Sequence, residues 1–124
     1  VEPTNCSLAH AEVVALANAH RTLKQFDLGA PGLPKLELIT SCEPCAMCYG
    51  AILWSGVRKV VCAARGSDAT AIGFDEAPKP KNWVATLEDR GISVTRDLCR
   101  DEAIAVFQHY QQIGGRVYNA RKGI

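Results

Sequence analysis

The sequence has 124 residues, a length that allows one domain with one hydrophobic core, so residues 1–124 are predicted to form a single domain. Hydrophobic residues make up 48% of the chain, but no apolar run reaches the roughly 18 residues of a membrane helix, which argues against a membrane protein. The formal net charge of +1 argues against a nucleic acid as the partner, because binding a polyanion usually requires a basic excess.

Apolar periodicity and chain breakers predict that helices and strands alternate along the chain. The predicted order is a helix over 8–26, a strand over 36–40, a helix over 44–54, a strand over 59–63, a short helix over 83–89, a strand over 92–95 and a helix over 97–112. Residues 65–82 are predicted to lack regular structure, since they are polar and contain two prolines near their end. This alternation predicts an α/β fold with a central, largely parallel sheet.

Two apolar features are assigned to the core. Trp54 lies on the second predicted helix, and the last helix carries an apolar stripe at helical spacing. The stripe consists of Ala103, Val106, Phe107, Tyr110 and Ile113.

The start of the chain suggests that upstream sequence has been lost. The first residue is Val1 rather than Met, and three predicted strands are few for a sheet covered by four helices. A missing strand would expose an edge of the sheet, which is a pairing hazard unless another chain covers it. We therefore expect self-association.

Six cysteines are distributed in a way that indicates a reduced protein rather than a disulfide scaffold. Cys42, Cys45 and Cys48 lie close together, whereas Cys62 and Cys99 lie in apolar segments. Thiols placed this way are typical of metal ligands together with small buried hydrophobic residues. The first residues also lack the apolar stretch of a secretory signal, so a cytoplasmic location is expected.

The strongest motif pairs His10-Ala11-Glu12 with Pro44-Cys45-Ala46-Met47-Cys48, a combination typical of zinc deaminases. Cysteines three residues apart at a helix start lie on one face, and the free N–H groups there stabilise their thiolates. With a nitrogen from His10, three protein ligands leave the fourth position of a tetrahedral zinc for water. The motif therefore predicts a catalytic zinc bound by His10, Cys45 and Cys48.

Glu12 follows His10 by two residues, which in the middle of a helix would turn the two side chains about 200° apart. Both reach one site only if they lie at the first turn of their helix. A helix starting near position 8 permits this arrangement.

Other interpretations of this motif stay open. The Cys-x-x-Cys pair could be a redox pair, a structural zinc could use Cys42 as a fourth ligand, and His10 could be a satisfied core histidine. The combination of His-x-Glu with the cysteine pair makes each of these less favoured than the catalytic zinc.

Three segments together resemble the cytidine deaminase superfamily and, within it, bacterial guanine deaminases. They are residues 10–13, residues 40–52 and the run Ala71-Ile72-Gly73-Phe74-Asp75-Glu76, of which the last is the most discriminating. The resemblance implies a three-layer α/β/α fold with a central mixed, largely parallel sheet, one Zn²⁺ per chain and a homodimer. It also implies that the first helix and first two strands of the family are absent here, together with an Asn and aromatic contacts to the base.

The resemblance implies hydrolytic deamination of a free purine base, guanine to xanthine plus ammonia. Glu12 would carry protons between water and the base, and Glu76 would be a second acid that helps protons reach the leaving ammonia. Phe74 and Asp75 would contact the substrate, although a buried Phe followed by a solvated acidic pair is an alternative. Trp83 and Tyr118 are candidates for covering the pocket, and core packing is equally open for Trp83. In the family the C-terminal tail can close an active site.

Three alternatives to a guanine deaminase remain. A tRNA adenosine deaminase shares the metal motif but should show a basic face and a different loop after the second strand. A cytosine or cytidine deaminase is made less favoured by residues 74–76. The chain could also be an inactive, zinc-retaining fragment or an interaction module.

Overall fold

The centre of the computed structural model, which describes residues 1–122, is a sheet of three parallel strands. The strands β1 (Glu37–Cys42), β2 (Lys59–Ala64) and β3 (Ser93–Thr95) lie side by side in that order. Strand β2 lies between two neighbours, which explains its nearly continuous apolar run. The predicted α/β class with parallel strands is confirmed.

The described residues contain five α-helices, which alternate with the strands largely as predicted. They are α1 (Ala11–Leu23), α2 (Ala46–Ser55), α3 (Gly66–Ala71), α4 (Trp83–Glu88) and α5 (Arg100–Gln112). Helix α2 ends at Gly56, whose φ of 85° and distance of 2.7 Å from a would-be Cβ to the backbone nitrogen of Gly29 both require glycine. None of these helices has the length and apolar character that crossing a bilayer requires.

Helix α3 lies inside the segment that was predicted to be irregular, so that prediction was wrong for residues 66–71. Four of its six residues, Gly66, Ser67, Asp68 and Thr70, are weak helix formers, and tertiary contacts help to stabilise it. The Asp68 carboxylate accepts a hydrogen bond from the backbone N–H of Arg65 at 2.8 Å and two more, each at 2.9 Å, from Nε and Nη2 of Arg100. Arg100 comes from α5, so local sequence patterns do not show this helix.

The core lies between the sheet, α1, α2 and α4. Its buried members include Leu16, Leu38, Ile52, Val60 and Leu87. Strand β2 and the inner faces of these helices contribute most of the buried hydrophobic side chains, and Ile52 and Leu87 are the largest that are fully buried.

Two core predictions were wrong. Trp54 is 89% exposed, and the last-helix stripe is only partly covered, with Val106 at 67% and Ile113 at 65% exposed. A helix beside a three-stranded sheet finds less apolar surface than its stripe offers, so only one edge of that stripe packs. Residues 123 and 124 of the predicted tail lie outside the described residues.

Candidate active site

Two helix N-termini meet at the candidate metal centre. His10 and Cys45 are the N-cap residues of α1 and α2, and Cys48 lies in the first turn of α2. Because α1 begins at Ala11, Glu12 also lies in a first turn, beside His10. The start of α1 is three residues later than the predicted one, and it satisfies the geometric requirement derived from the spacing of His10 and Glu12.

The three predicted ligands come together in the fold. The Nδ1 atom of His10 lies 3.6 Å from the sulfur of Cys45 and 3.6 Å from that of Cys48. All three ligand atoms lie within 4.8 Å of one another. In a tetrahedral zinc site with ordinary bond lengths, nitrogen and sulfur ligands are roughly 3.5 Å apart. The residues therefore fit one zinc ion.

The two thiols have opposite pKa shifts because they share a proton. Their mutual hydrogen bond lowers the pKa of Cys45 to about 3, against a smaller opposing effect of burial. The same bond, together with burial, raises the pKa of Cys48. One thiolate is thus ready for a metal at neutral pH, and binding through both sulfurs releases the second proton.

Cys42 is separate from this cluster. Its thiol faces the carbonyl of Arg65 at 3.7 Å, and burial raises its pKa to about 12. It stays protonated, and its sulfur is not among the ligand atoms of the cluster that the described residues form. The structure thus argues against the four-ligand structural zinc.

Glu12 is oriented by a strand residue that sequence reasoning missed. The Thr40 hydroxyl on β1 donates to Glu12 Oε1 at 2.9 Å, and the Cys48 thiol approaches Oε2 at 3.5 Å. The available sequence signal was a hydroxyl side chain near the end of the strand, four residues before Pro44. The hydrogen bond from Thr40 thus holds the Glu12 carboxylate next to the metal ligands.

A cavity of about 170 Å³ opens onto the metal cluster. It is lined by two predicted ligands, by both predicted proton carriers and by aromatic side chains from a loop and from α5. The lining residues are His10, Glu12, Cys42, Glu43, Cys45, Ala69, Phe74, Glu76 and Phe107.

Glu76 has the properties of a proton carrier in this cavity. Its Oε2 atom is buried and has no hydrogen-bond partner among residues 1–122. Burial raises the pKa of Glu76 to about 7. Its backbone carbonyl accepts from the N–H of Ala46 at 3.0 Å, which attaches this residue to the start of α2. A carboxyl that titrates near neutrality can both take up and release a proton.

Phe74 forms an apolar wall together with α5. Its ring lies 6.5 Å from that of Phe107 and 6.3 Å from that of Tyr110, between centroids. Phe107 was assigned to the core, yet it lines the cavity. An amphipathic stripe does not distinguish residues that pack from residues that border a pocket, so no sequence signal separated the two.

Asp75 and Tyr118, two of the predicted substrate contacts, lie outside the cavity lining. The Asp75 carboxylate accepts from the backbone N–H of Ala77 at 2.9 Å and pairs with the Lys122 ammonium at 2.8 Å. The side chain of Tyr118, in the C-terminal tail, is 43% exposed. The Asp75 side chain thus contacts its own turn and the tail, and neither Asp75 nor Tyr118 borders the cavity.

Trp83 is a core residue and does not line the cavity, so of its two open interpretations the structure supports core packing and not pocket cover. It is 5% exposed, and the charged ends of Lys79 and Arg96 lie 5.0 and 5.6 Å from its ring centre. The Lys79 ammonium donates to the carbonyl of Pro44, and Arg96 Nε donates to Glu43 Oε1 at 2.6 Å. Trp83 therefore packs against the cations that hold the turn before the first metal-ligand cysteine.

Comparison with known proteins agrees with this geometry. A family model for the cytidine and deoxycytidylate deaminase zinc-binding region matches residues 1–64, which include the whole ligand set. The chain belongs to this deaminase family. Its three-stranded α/β fold is the cytidine deaminase-like fold of the solved structures to which it is similar.

Several relatives carry more specific names. Guanine deaminase of Bacillus subtilis (strain 168) is 44% identical over 92 residues, covering 74% of this chain and 56% of that protein. A tRNA-specific adenosine deaminase of Buchnera aphidicola subsp. Schizaphis graminum is 28% identical over 106 residues, covering 86% of this chain and 64% of its own.

Solved structures lie in the same group. That of a guanine deaminase from Nitrosomonas europaea has 55% identity and a TM-score of 0.87, covering 89% of this chain and 60% of that one. A complex with 2,6-diaminopurine has 56% identity and a TM-score of 0.89, covering 96% of this chain and 63% of that one. This chain thus spans less than two thirds of the length of these relatives.

Proposed function

We propose that the protein deaminates a free purine base hydrolytically, converting guanine and water into xanthine and ammonia. The observation that carries the proposal is one cavity that opens onto the ligand cluster and is lined by Glu12 and by Glu76, whose Oε2 is buried and whose pKa is about 7. Its similarity to guanine deaminases, at 44% and 55% identity, favours guanine as the base.

His10, Cys45 and Cys48 would hold the zinc ion. Zinc bound at such a site would act as a Lewis acid and lower the pKa of a bound water towards about 7. The role of the protein here is to keep both sulfurs and the imidazole on one side of the cavity, so that the opposite side stays open to water and base.

Glu12 would act as the first proton carrier. Its carboxylate accepts the proton of the attacking water and transfers it to a ring nitrogen of the base. The oxygen of water then forms a bond to C2 of guanine. Thr40 keeps the carboxylate oriented during this transfer, since its hydroxyl donates to Oε1 while Oε2 lies 3.5 Å from the sulfur of Cys48.

Glu76 would act as the second proton carrier. Collapse of the tetrahedral carbon breaks the bond between C2 and the amino nitrogen, and the leaving nitrogen needs a proton to depart as ammonia. A protonated Glu76 can donate it, because its Oε2 has no competing partner among residues 1–122. The resulting carboxylate takes back the proton that the C2 hydroxyl releases as it becomes the carbonyl of xanthine. The pKa of about 7 keeps a substantial protonated fraction at neutral pH.

Phe74 and Phe107 would form the apolar wall against the flat face of the base. A small cavity with aromatic walls suits a free base better than a nucleotide within a folded RNA. The net charge of +1 agrees with this choice, since a tRNA partner favours a basic surface.

We further propose a cytoplasmic homodimer that consists of single-domain chains. The six cysteines are unpaired, which suits a reducing compartment. Strand β1 is at the edge of the sheet of the described residues and exposes Ile39 by 71%. Sedimentation measurements test the dimer, and a species that stays monomeric at all concentrations would contradict it.

The decisive experiment measures zinc content and ammonia release from guanine, adenosine and cytosine side by side. We expect about one zinc per chain and release from guanine at least about 100-fold faster than from the other two. Preference for adenosine would favour the tRNA deaminase alternative, and preference for cytosine the pyrimidine branch. A zinc-loaded protein inactive on all three would overturn the proposal.

A further inference from the structure

One asparagine of the C-terminal tail bridges the segment that borders the cavity. Asn119 Oδ1 accepts a hydrogen bond from the backbone N–H of Asp75 at 2.8 Å, and Asn119 Nδ2 donates to the carbonyl of Gly73 at 2.9 Å. The two backbone groups flank Phe74. A single side-chain amide thus satisfies one donor and one acceptor of an irregular segment, as an adjacent β-strand would.

Other contacts also attach the tail to the rest of the structure near Asn119. The Tyr110 hydroxyl of α5 donates to the carbonyl of Arg116 at 2.6 Å, at the point where the tail begins. Gly73 has a φ of 106°, and a Cβ there would lie 3.6 Å from Val117 of the tail. Tail and segment are therefore in contact before Asn119, at Val117, and after it, where the Lys122 ammonium lies 2.8 Å from the Asp75 carboxylate.

The bridged segment carries two cavity residues. Phe74 lines the aromatic wall, and Glu76 follows it by two positions. Beyond Asn119, this segment is held at Glu76, whose carbonyl accepts from the N–H of Ala46 at 3.0 Å. Removing the Asn119 amide leaves the Phe74 end attached through its contacts with α3 and α5 and through the exposed ion pair of Asp75 with Lys122.

We propose that Asn119 is a positioning residue: its amide holds the backbone on both sides of Phe74, and it thereby keeps Phe74 and Glu76 aimed into the cavity. This inference rests on the proposed function for its catalytic consequence. Asn119 itself does not line the cavity, so it acts through the segment and not on the base.

The test uses the zinc-loaded protein and the variant Asn119→Ala. Loss of a hydrogen bond from the Asp75 N–H should raise the hydrogen-exchange rate of that amide about tenfold. For guanine, kcat/KM should fall about tenfold while zinc content stays unchanged. Asn119→Asp keeps an acceptor for Asp75 and loses the donor to Gly73, so it should restore slow exchange at Asp75 and give an intermediate kcat/KM.

The matched control is Asn18→Ala, which removes an exposed asparagine on α1. The Asn18 Oδ1 atom accepts a hydrogen bond from Arg21 at 3.4 Å. Its exchange at Asp75 and its kcat/KM should equal those of the wild type. Thermal unfolding of all three variants separates a positioning effect from a general loss of stability.

The outcomes separate the two proposals. Unchanged Asp75 exchange in Asn119→Ala overturns the inference, whether or not guanine is turned over. Faster exchange with wild-type kcat/KM overturns it as well, since the contact would then hold the tail and nothing else. A wild-type protein that does not deaminate guanine overturns the proposed function alone, and faster exchange in the variant still supports the role of Asn119 in holding the segment.

Discussion

The metal side and the substrate side of the cavity are built in different ways. On the metal side, three ligands and Glu12 come from the N-terminal ends of two helices, and Thr40 comes from the strand between them. On the substrate side, Phe74 and Glu76 lie in an irregular segment, Phe107 on α5, and the support comes from the tail. Regular elements thus hold the ion, whereas long-range contacts shape the wall that would face the base. Changes on the two sides should therefore affect different measurements.

The largest effect is expected on the metal side. Glu12→Gln should lower kcat for guanine deamination by about 10³-fold, because the amide cannot accept a proton. Zinc content should stay near that of the wild type, since Glu12 is not a member of the ligand cluster. Metal analysis and single-turnover ammonia release check both statements. A variant that turns over guanine at the wild-type rate would remove Glu12 from the reaction.

Glu76→Gln tests the substrate side, and kcat should fall by about 10²-fold with zinc retained. In the wild type the fall of kcat with rising pH should be centred near pH 7, because the pKa of Glu76 is about 7 and its protonated form is the donor. This pH dependence should disappear in the variant. If kcat of the variant still falls with rising pH around pH 7, the titrating group is not Glu76.

Stability gives an independent measurement of the same carboxyl. Because burial raises its pKa from 4.5 to about 7, the folded protein loses stability as pH rises between these values. Zinc-free Glu76→Gln lacks that loss. Its free energy of unfolding should exceed that of the zinc-free wild type by on the order of 1 kcal/mol at pH 8 and by less at pH 5. The figure at pH 8 is reduced for partial solvent screening. Denaturant unfolding at both values is the measurement, and an equal difference at the two would contradict the burial argument.

A moderate effect is expected at the aromatic wall. Phe107→Ala should raise KM for guanine about tenfold with little change in kcat, since it removes apolar surface that the ground state and transition state share. Val106→Ala is the matched control, because Val106 is adjacent on α5, is 67% exposed and does not line the cavity. Equal KM values for guanine in the two variants would show that Phe107 does not contact the substrate.

The smallest effect is expected at the exposed end of the tail. Lys122→Ala removes the ion pair with Asp75, and kcat/KM should change by less than about twofold. Its contrast with Asn119→Ala sharpens the comparison, since both residues contact Asp75 but only Asn119 holds the backbone. A loss as large as that of Asn119→Ala would assign the anchoring to charge rather than to the amide.

Local patterns predicted the regular elements better than the segments between them. Helix α2 and its end follow from the apolar run and Gly56, although the helix begins at Ala46 and leaves Pro44 outside it. Helix α3 was missed because its stabilising partner, Arg100, is 32 residues away from Asp68. Phe107 was assigned to the core and Trp83 was left open between core and pocket for a similar reason: both are apolar at helical positions, and only their surroundings decide which one borders the cavity.

The sequence by itself determined the ligand set, because the spacing of two cysteines on one helix turn and of His10 and Glu12 at another is a local property of the chain. It also determined the α/β class through the alternation of apolar strands with helices. Only the tertiary structure decided how Glu76 is buried, which aromatic ring lines the cavity and which residue holds that segment. These depend on contacts across long separations, such as the 44 residues between Asp75 and Asn119, and no local pattern encodes such contacts.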